Sequence, residues 1–369
     1  MDALHSLLAW LRKPVSGPLL VPQMEGLRFI ALLSVFMLHF DQALRSRLGF
    51  DDSTFVSRLC GIGDFGVQIF FAVSGFVLAL PFARYHLLGG KPVKLRTYFT
   101  RRLIRLEPPL FVNLCILFVI AVWVVGKLSL EDGLKRFGLT MSYLHYVTLG
   151  EMSPISRVTW SLETEAQFYL AMPLLALLFK IHSVPARRLI LGALAILCMI
   201  AKPHCNKAML PAQFEYFAAG ILLADLFLSE WSGKPASSAL WDWLGLGAWL
   251  ALPALLLRYA GNASPGISSM LVVLVFVAFA AALRGRFSSR LASGTVVTLI
   301  GGMCYSFYLY HDAVLKLAGA CLPHIAPGSY AGAFAVGLIV LAPVVMIVTV
   351  VMYALFERPF MSWRRKPAP

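Results

Sequence analysis

The sequence predicts an all-α polytopic membrane protein with about ten transmembrane helices and with both termini in the cytoplasm. Of its 369 residues, 59% are hydrophobic, whereas soluble domains are about 45–50% apolar by a comparable count. The mean hydropathy is +0.77, and apolar runs long enough to cross a bilayer recur along the chain. Lys and Arg concentrate in alternate connecting segments, which sets the predicted orientation.

The apolar runs predict ten spans, give or take one. A further apolar stretch, 137–149, is expected to be re-entrant or interfacial. The chain then divides into a cytoplasmic N-terminal segment (1–26), a transmembrane domain (27–358) and a cytoplasmic tail (359–369). The predicted spans are 27–47, 59–82, 109–127, 161–181, 188–201, 212–229, 241–258, 267–283, 296–318 and 331–356.

The net charge of +14 is largely explained by this topology, so we infer no nucleic-acid binding. For any single cation, orientation in the bilayer or contact with a lipid headgroup is a sufficient explanation. The six cysteines show no metal-binding spacing, and no metal site is expected. Cys205 and Cys321 both fall on the predicted outer side, where they could form a disulfide.

Arg28 and His39 stand out in the first span because ionisable residues are costly inside a bilayer. Eleven residues make about three helical turns, so both side chains point the same way, with their backbones about 16 Å apart along the axis. This arrangement predicts two stations on a path into the membrane. The alternative is a snorkelling arginine at a helix end and a hydrogen-bonded packing histidine.

The segment YFTRRLIRLEPPL carries Arg101, Arg102 and Arg105, which form a cationic edge on a helix. Pro108 and Pro109 are expected to break that helix or to start the next one. Arginines at this density suit a polyphosphate, and an anionic lipid would satisfy them equally well.

The fourth predicted span opens with Trp160 at the outer interface and places Ser161, Glu165 and Tyr169 on one face. A carboxylate at this depth needs a partner. Glu165 could pair with an arginine, Arg157 or Arg258, or it could orient a histidine of the first span. In the second span, Ser74 offers a hydroxyl beside a glycine that allows close backbone approach.

The ninth predicted span, GGMCYSFYLYHDAVLKL, places Tyr305, Tyr308 and His311 in one polar, aromatic patch. Such a patch suits a hydroxylated, sugar-like ligand, and it also suits an ordinary interfacial aromatic belt. The chain closes with FERP at the predicted inner boundary.

Taken together, these motifs resemble the membrane acyltransferase 3 family, in its stand-alone form without an SGNH-type domain. The match runs in order from the first span to the last. Asp64, Glu107 and Cys304 depart from the pattern and leave the details of acceptor choice open. The matching pieces are Arg28-x10-His39, GVQIFFAVSGFV (66–77), RRLIR with Pro108, WSLETEAQFYL (160–170), GGMCYSFYLYH (301–311) and FERP (356–359).

The resemblance implies an acyltransferase that moves an acyl group, usually acetyl, from acyl-CoA to a hydroxyl of an extracytoplasmic carbohydrate, a lipid-linked molecule or a small-molecule acceptor. Its expected setting is the lipid bilayer of a bacterial cytoplasmic (inner) membrane, and its oligomeric state stays open. The catalytic residues would be His39, as general base or as acyl carrier, and Glu165. Donor phosphates would bind Arg28, Arg101, Arg102 and Arg105, and the acceptor would bind Ser74, Trp160, Ser161, Tyr305, Tyr308 and His311.

A proton-coupled transporter or flippase is the alternative, with Arg28, His39 and Glu165 forming an ion or substrate path. It predicts no dependence on coenzyme A.

Overall fold

The computed structural model describes residues 10–11, 21–231, 238–259 and 264–362, and all regular structure in these ranges is helical apart from one isolated bridge between Ser238 and Gly285. The helices are α1 (Pro22–Leu48), α2 (Phe55–Gly61), α3 (Gly66–Leu88), α4 (Leu95–Val119), α5 (Leu130–Met141), α6 (His145–Leu149), α7 (Trp160–Leu175), α8 (Val184–Ala201), α9 (Phe214–Ser229), α10 (Ala239–Arg258), α11 (Pro265–Arg284), α12 (Arg286–Ala292), α13 (Thr295–Gly302), α14 (Cys304–Ala318), α15 (Leu322–Ile325), α16 (Tyr330–Met352) and α17 (Arg358–Ser362).

The prediction of an all-α polytopic membrane fold is confirmed. In the described chain, eight helical segments are long and apolar enough to cross a membrane. They correspond to eight of the ten predicted spans. Several begin earlier than predicted, because polar residues continue the helices beyond their apolar parts. The segments are Pro22–Leu48, Phe55–Leu88, Leu95–Val124, Arg157–Lys180, Val184–His204, Ala239–Arg258, Pro265–Arg284 and Tyr330–Met361.

The other two predicted spans are helical but shorter than a bilayer requires. Helix α9, predicted as 212–229, has 16 residues, which span about 24 Å at 1.5 Å per residue. The predicted span 296–318 is divided at Met303 into α13 and α14. Apolar composition alone predicted one continuous helix there, whereas the chain bends between the two halves.

Helices α1 and α3 form the centre of the bundle. Their apolar windows are 61% and 67% buried within the protein, whereas those of α8 and α10 are 11% and 17% buried and leave most of their surface for lipid. Helix α1 packs against α3, α13 and α14, and α3 packs along α9. Arg28, His39 and Ser74 therefore lie on the two most enclosed of these long helices.

Glycines allow α3 and α9 to pack backbone against backbone. A Cβ atom on Gly75 would collide with the carbonyl oxygen of Phe217, and one on Gly220 would collide with that of Ala72. Only glycine has no side-chain atom to place there, so the two backbones approach as closely as small residues permit in membrane helices.

Glu357 of the FERP motif is hydrogen bonded to the start of α14. Its side chain is fully buried, and its Oε2 accepts hydrogen bonds from the backbone N–H of Ser306 at 3.0 Å and from the Ser306 hydroxyl at 2.6 Å. This contact holds the helix that carries Tyr305, Tyr308 and His311.

Two smaller predictions can be compared with the structure, and a third falls largely on residues that it does not describe. The predicted interfacial stretch 137–149 is occupied by the end of α5 and by α6, joined through Tyr143 in the left-handed region (φ 58°). Cys205 and Cys321 are both free, so the possible disulfide is not formed. Residues 1–9, 12–20 and 363–369, in the predicted N-terminal segment and tail, lie outside the described residues.

Candidate active site

A first cavity, here called the arginine cavity, lies between α1, α3, α4, α7 and α14 and encloses about 70 Å³. Its lining combines two unlike surfaces: a cationic wall from α1 and α4, and a wall of aromatic, aliphatic and hydroxyl groups with one carboxylate. The polar lining side chains are Arg28, Ser74, Arg102, Arg105, Ser161, Glu165, Tyr169, Tyr305 and Tyr308.

Arg102 and Arg105 bring charge to this cavity that no ion pair in the described chain neutralises. The Nε atom of each is buried and has no hydrogen-bond partner there. The Arg102 guanidinium lies 5.9 Å and 5.8 Å from the ring centroids of Tyr98 and Tyr169. These cation–π contacts stabilise the guanidinium but do not neutralise its charge. Both arginines are therefore available to an anion.

Arg101 lies apart from the other two arginines. It is exposed and does not line the cavity, whereas Arg102 and Arg105, three residues apart on the same helix, both do. A residue one position away lies about 100° around the helix, so Arg101 points in a different direction from Arg102. Pro108 and Pro109 do not break α4, which continues through both.

Arg28 lines the arginine cavity but already has a partner. Its Nη1 donates to Glu25 Oε1 at 2.7 Å, and both side chains are largely buried. Glu25 lies one turn earlier on α1, so the pair forms within one helix.

Glu165 is oriented by Ser74 and not by a histidine or an arginine ion pair. The Ser74 hydroxyl donates to Glu165 Oε1 at 2.7 Å, and this bond links α3 to α7 inside the cavity. The expected contact between Glu165 and His39 is not formed, because the His39 ring is engaged elsewhere. Arg157, one of the two arginines considered as a partner for Glu165, lines a different cavity.

A second cavity, the histidine cavity, lies farther along α1 and has a volume of about 250 Å³. His39 is partly exposed on its wall. The cavity shares Arg157 and Val158 with a neighbouring cavity of about 440 Å³, here called the vestibule. The polar lining side chains are His39, Gln42, Asp64, Arg157, Trp160, Lys207 and Tyr308.

Trp160, one of the predicted acceptor-binding residues, lines the histidine cavity, as do two residues for which the sequence predicts no role. The Lys207 ammonium lies 4.2 Å from the centroid of the Trp160 ring and donates to Asp64 Oδ2 at 2.8 Å. In the sequence, Asp64 stands out only as a departure from the family pattern. Lys207 and Gln42 showed no sequence signal, because isolated polar residues near helix ends are common.

Tyr308 and Val67 separate the two cavities, since both residues line both of them. The Tyr308 hydroxyl is 2.7 Å from the Ser161 hydroxyl and donates to the Val158 carbonyl at 3.1 Å. The Tyr305 hydroxyl, on the arginine side, donates to the Leu106 carbonyl at 2.9 Å. These hydroxyls position the wall between the cavities.

His311, one of the predicted acceptor-binding residues, is fully buried and contacts His39. Its Nε2 lies 2.8 Å from His39 Nδ1, across 272 residues of sequence. The ring does not line either cavity.

In the described part of the chain, no group of three or more His, Cys, Asp or Glu side chains could hold a metal ion. The arrangement places a surface with two arginines outside any ion pair of the described chain next to a cavity lined by a histidine, with Tyr308 and Val67 between them.

Comparisons with known proteins find similarity to acyltransferases. A family model described as "Acyltransferase domain" matches residues 21–356. The acyltransferase MdmB of Streptomyces mycarofaciens is 28% identical over 94% of this chain and 94% of its own length. The O-acetyltransferase OatA of Staphylococcus aureus (strain NCTC 8325 / PS 47) is 25% identical over 47% of this chain and 27% of its own length. No solved structure gives a significant match.

Proposed function

The chain belongs to the acyltransferase 3 family, and from this we propose that it moves a short acyl group from acyl-CoA at the arginine cavity to a hydroxyl of an acceptor beside His39. The chain is an acyltransferase with multiple membrane helices. The identities of donor, base and acceptor are the proposal. The observation that carries it is the back-to-back placement of the two cavities with Tyr308 and Val67 between them.

The donor assignment rests on the unpaired charge of Arg102 and Arg105. Coenzyme A carries several phosphates, and arginines bind phosphate through charge-assisted, often bidentate hydrogen bonds. The name of OatA, an O-acetyltransferase, supports a short acyl group at the end of the pantetheine arm. Since acyl-CoA is made in the cytoplasm, the arginine cavity would face that side, in agreement with the predicted orientation.

The acceptor assignment rests on the polar lining of the histidine cavity. Gln42, Asp64 and Lys207 supply hydrogen-bond donors and acceptors, and the vestibule shares residues with this cavity and none with the arginine cavity. The name of OatA describes transfer of acetyl to oxygen, which supports a hydroxyl acceptor here. A carbohydrate or a similar hydroxylated molecule on the outer face of a bacterial cytoplasmic membrane fits these groups.

In the proposed reaction, His39 takes the proton of the acceptor hydroxyl while the hydroxyl oxygen of the acceptor attacks the thioester carbonyl carbon. The new C–O bond forms, the C–S bond breaks, and the coenzyme A thiolate recovers the proton from the imidazolium. Direct transfer needs one step, whereas an acyl-histidine needs two, so we favour the base. The thioester has to pass the wall made by Tyr308 and Val67, so that wall must open during the cycle.

The test uses purified protein in lipid nanodiscs, acetyl-labelled acetyl-CoA, and an envelope fraction from cells that lack the gene. We expect base-labile label in the envelope fraction and release of the coenzyme A thiol. His39→Gln should lower the rate about 100-fold or more. The control His145→Gln, at a buried histidine outside both cavities, should retain transfer.

Full transfer by His39→Gln would exclude His39 as the base. An absence of label transfer and of thiol release with the wild-type protein would refute the donor and favour the transporter or flippase alternative.

A further inference from the structure

His311 is surrounded by groups whose hydrogen-bonding capacity determines where its protons lie. Its Nδ1 is 2.8 Å from the Tyr308 carbonyl oxygen and 3.1 Å from that of Phe307. Carbonyl oxygens only accept hydrogen bonds, so Nδ1 must carry a proton. The remaining question is whether Nε2, 2.8 Å from His39 Nδ1, carries a second one.

The surroundings of His311 favour the neutral ring. The side chain is fully buried, and the adjacent carboxylate of Asp312 is bound to Lys316 Nζ at 2.5 Å. An imidazolium that is removed from water without a directly bonded counter-ion is strongly disfavoured. Nε2 of His311 therefore has a free lone pair and acts as a hydrogen-bond acceptor.

The state of His39 follows from that of His311. The short contact requires one proton, and since His311 Nε2 accepts, His39 Nδ1 must donate. In a neutral imidazole with a proton on Nδ1, Nε2 holds the lone pair. In the described chain nothing is hydrogen bonded to this atom, and His39 is partly exposed on the cavity wall.

We propose that His311 is a positioning residue that fixes the tautomer of His39 and so makes His39 Nε2 the proton acceptor. This assignment rests on the proposed function, and it replaces the orienting role expected for Glu165. The carbonyls of Phe307 and Tyr308 hold a proton on His311 Nδ1, and this sets the direction of the hydrogen bond from His39 to His311. The proton of the acceptor hydroxyl is then transferred to His39 Nε2.

A neutral partner has a chemical consequence that a carboxylate would not have. It orients the base without placing a negative charge beside it, so His39 stays neutral and basic until the hydroxyl proton arrives. When Nε2 takes that proton, the bond from Nδ1 to His311 becomes charge-assisted and strengthens, which stabilises the imidazolium during transfer. Return of the proton to the thiolate restores the starting tautomer.

The first test needs no turnover. Protein labelled with ¹⁵N-histidine is reconstituted in lipid, and solid-state NMR distinguishes protonated from unprotonated ring nitrogens. His39→Gln and His311→Gln assign the two rings. We expect both rings to be neutral near pH 7, with protons on Nδ1 and lone pairs on Nε2. A proton on His39 Nε2, or a charged His311, would overturn the proposal.

The second test compares variants by their effects on kcat and KM. His311→Leu removes the acceptor, whereas His311→Gln keeps an amide oxygen that can accept from His39 Nδ1. We expect His311→Leu to lower kcat about 10- to 100-fold, with KM for acetyl-CoA within about twofold of wild type. His311→Gln should recover at least part of kcat, and His145→Gln serves as the buried-histidine control.

The outcomes separate the two proposals. Equal kcat for His311→Leu and wild type would refute the positioning role and leave the acyltransferase proposal intact. If the wild-type protein showed no transfer, the proposed function would fail, and the NMR measurement would still decide the tautomer of His39.

Discussion

The Ser74 hydroxyl donates to Glu165 Oε1 at 2.7 Å inside the arginine cavity, joining the second and fourth long helical segments. This bond places Glu165 in the arginine cavity, away from the His39–His311 pair. A carboxylate in a cavity that lacks other acidic lining residues lowers its net positive charge.

We predict that Glu165→Gln binds coenzyme A at least as tightly as the wild type. The substitution removes a charge that repels phosphate and keeps an oxygen for the Ser74 hydroxyl. Titration calorimetry with coenzyme A checks this, and a large loss of affinity would show that the carboxylate contacts the donor directly.

Ser74→Ala, in contrast, should lower the free energy of unfolding by about 1–3 kcal/mol, because it leaves a Glu165 carboxylate oxygen with fewer hydrogen bonds.

Replacing the two cavity arginines should selectively weaken donor binding. We expect Arg102→Gln/Arg105→Gln to raise the Kd for coenzyme A by about tenfold or more for each arginine, since a hydrogen bond to a charged group contributes about 1.5–3 kcal/mol. The matched control is Arg101→Gln on the same helix, which is exposed outside the cavity. Equal losses for Arg101 and for the pair would indicate a general surface-charge effect.

Packing between α3 and α9 should depend on the absence of a Cβ atom. Gly75→Ala and Gly220→Ala each place a methyl group against a backbone carbonyl, and we expect each to destabilise the protein by about 1–3 kcal/mol. Gly247→Ala in α10 is the control, because an added Cβ there meets open space. It should be neutral or slightly stabilising. Thermal unfolding in detergent measures all three, and similar melting temperatures would contradict the close backbone contact.

The FERP glutamate should contribute to stability through hydrogen bonding rather than charge. Glu357→Ala removes the acceptor for the Ser306 N–H and hydroxyl, and we expect a loss of about 2–4 kcal/mol together with reduced transfer. Glu357→Gln keeps an oxygen for both donors and should fall between Ala and wild type. If Gln proved as damaging as Ala, the negative charge itself would be required.

The sequence by itself determined the helical membrane fold, the family and most of the polar residues that line the two cavities. Hydropathy and the 3.6-residue period are local properties, so they place Arg28, His39 and Ser74 correctly on their helices. The order of the motifs identified the family, because six motifs that are weak individually become specific when they occur together in the same order.

Only the tertiary structure decided which of these residues meet. His39 bonds to His311 across 272 residues, and nothing local to either helix distinguishes that partner from Glu165. The same holds for the choice of Arg102 and Arg105 over Arg101, for the break at Met303 and for the burial of short α9. Each depends on the rotation and packing of whole helices against one another, which a one-dimensional pattern of polar and apolar residues does not contain.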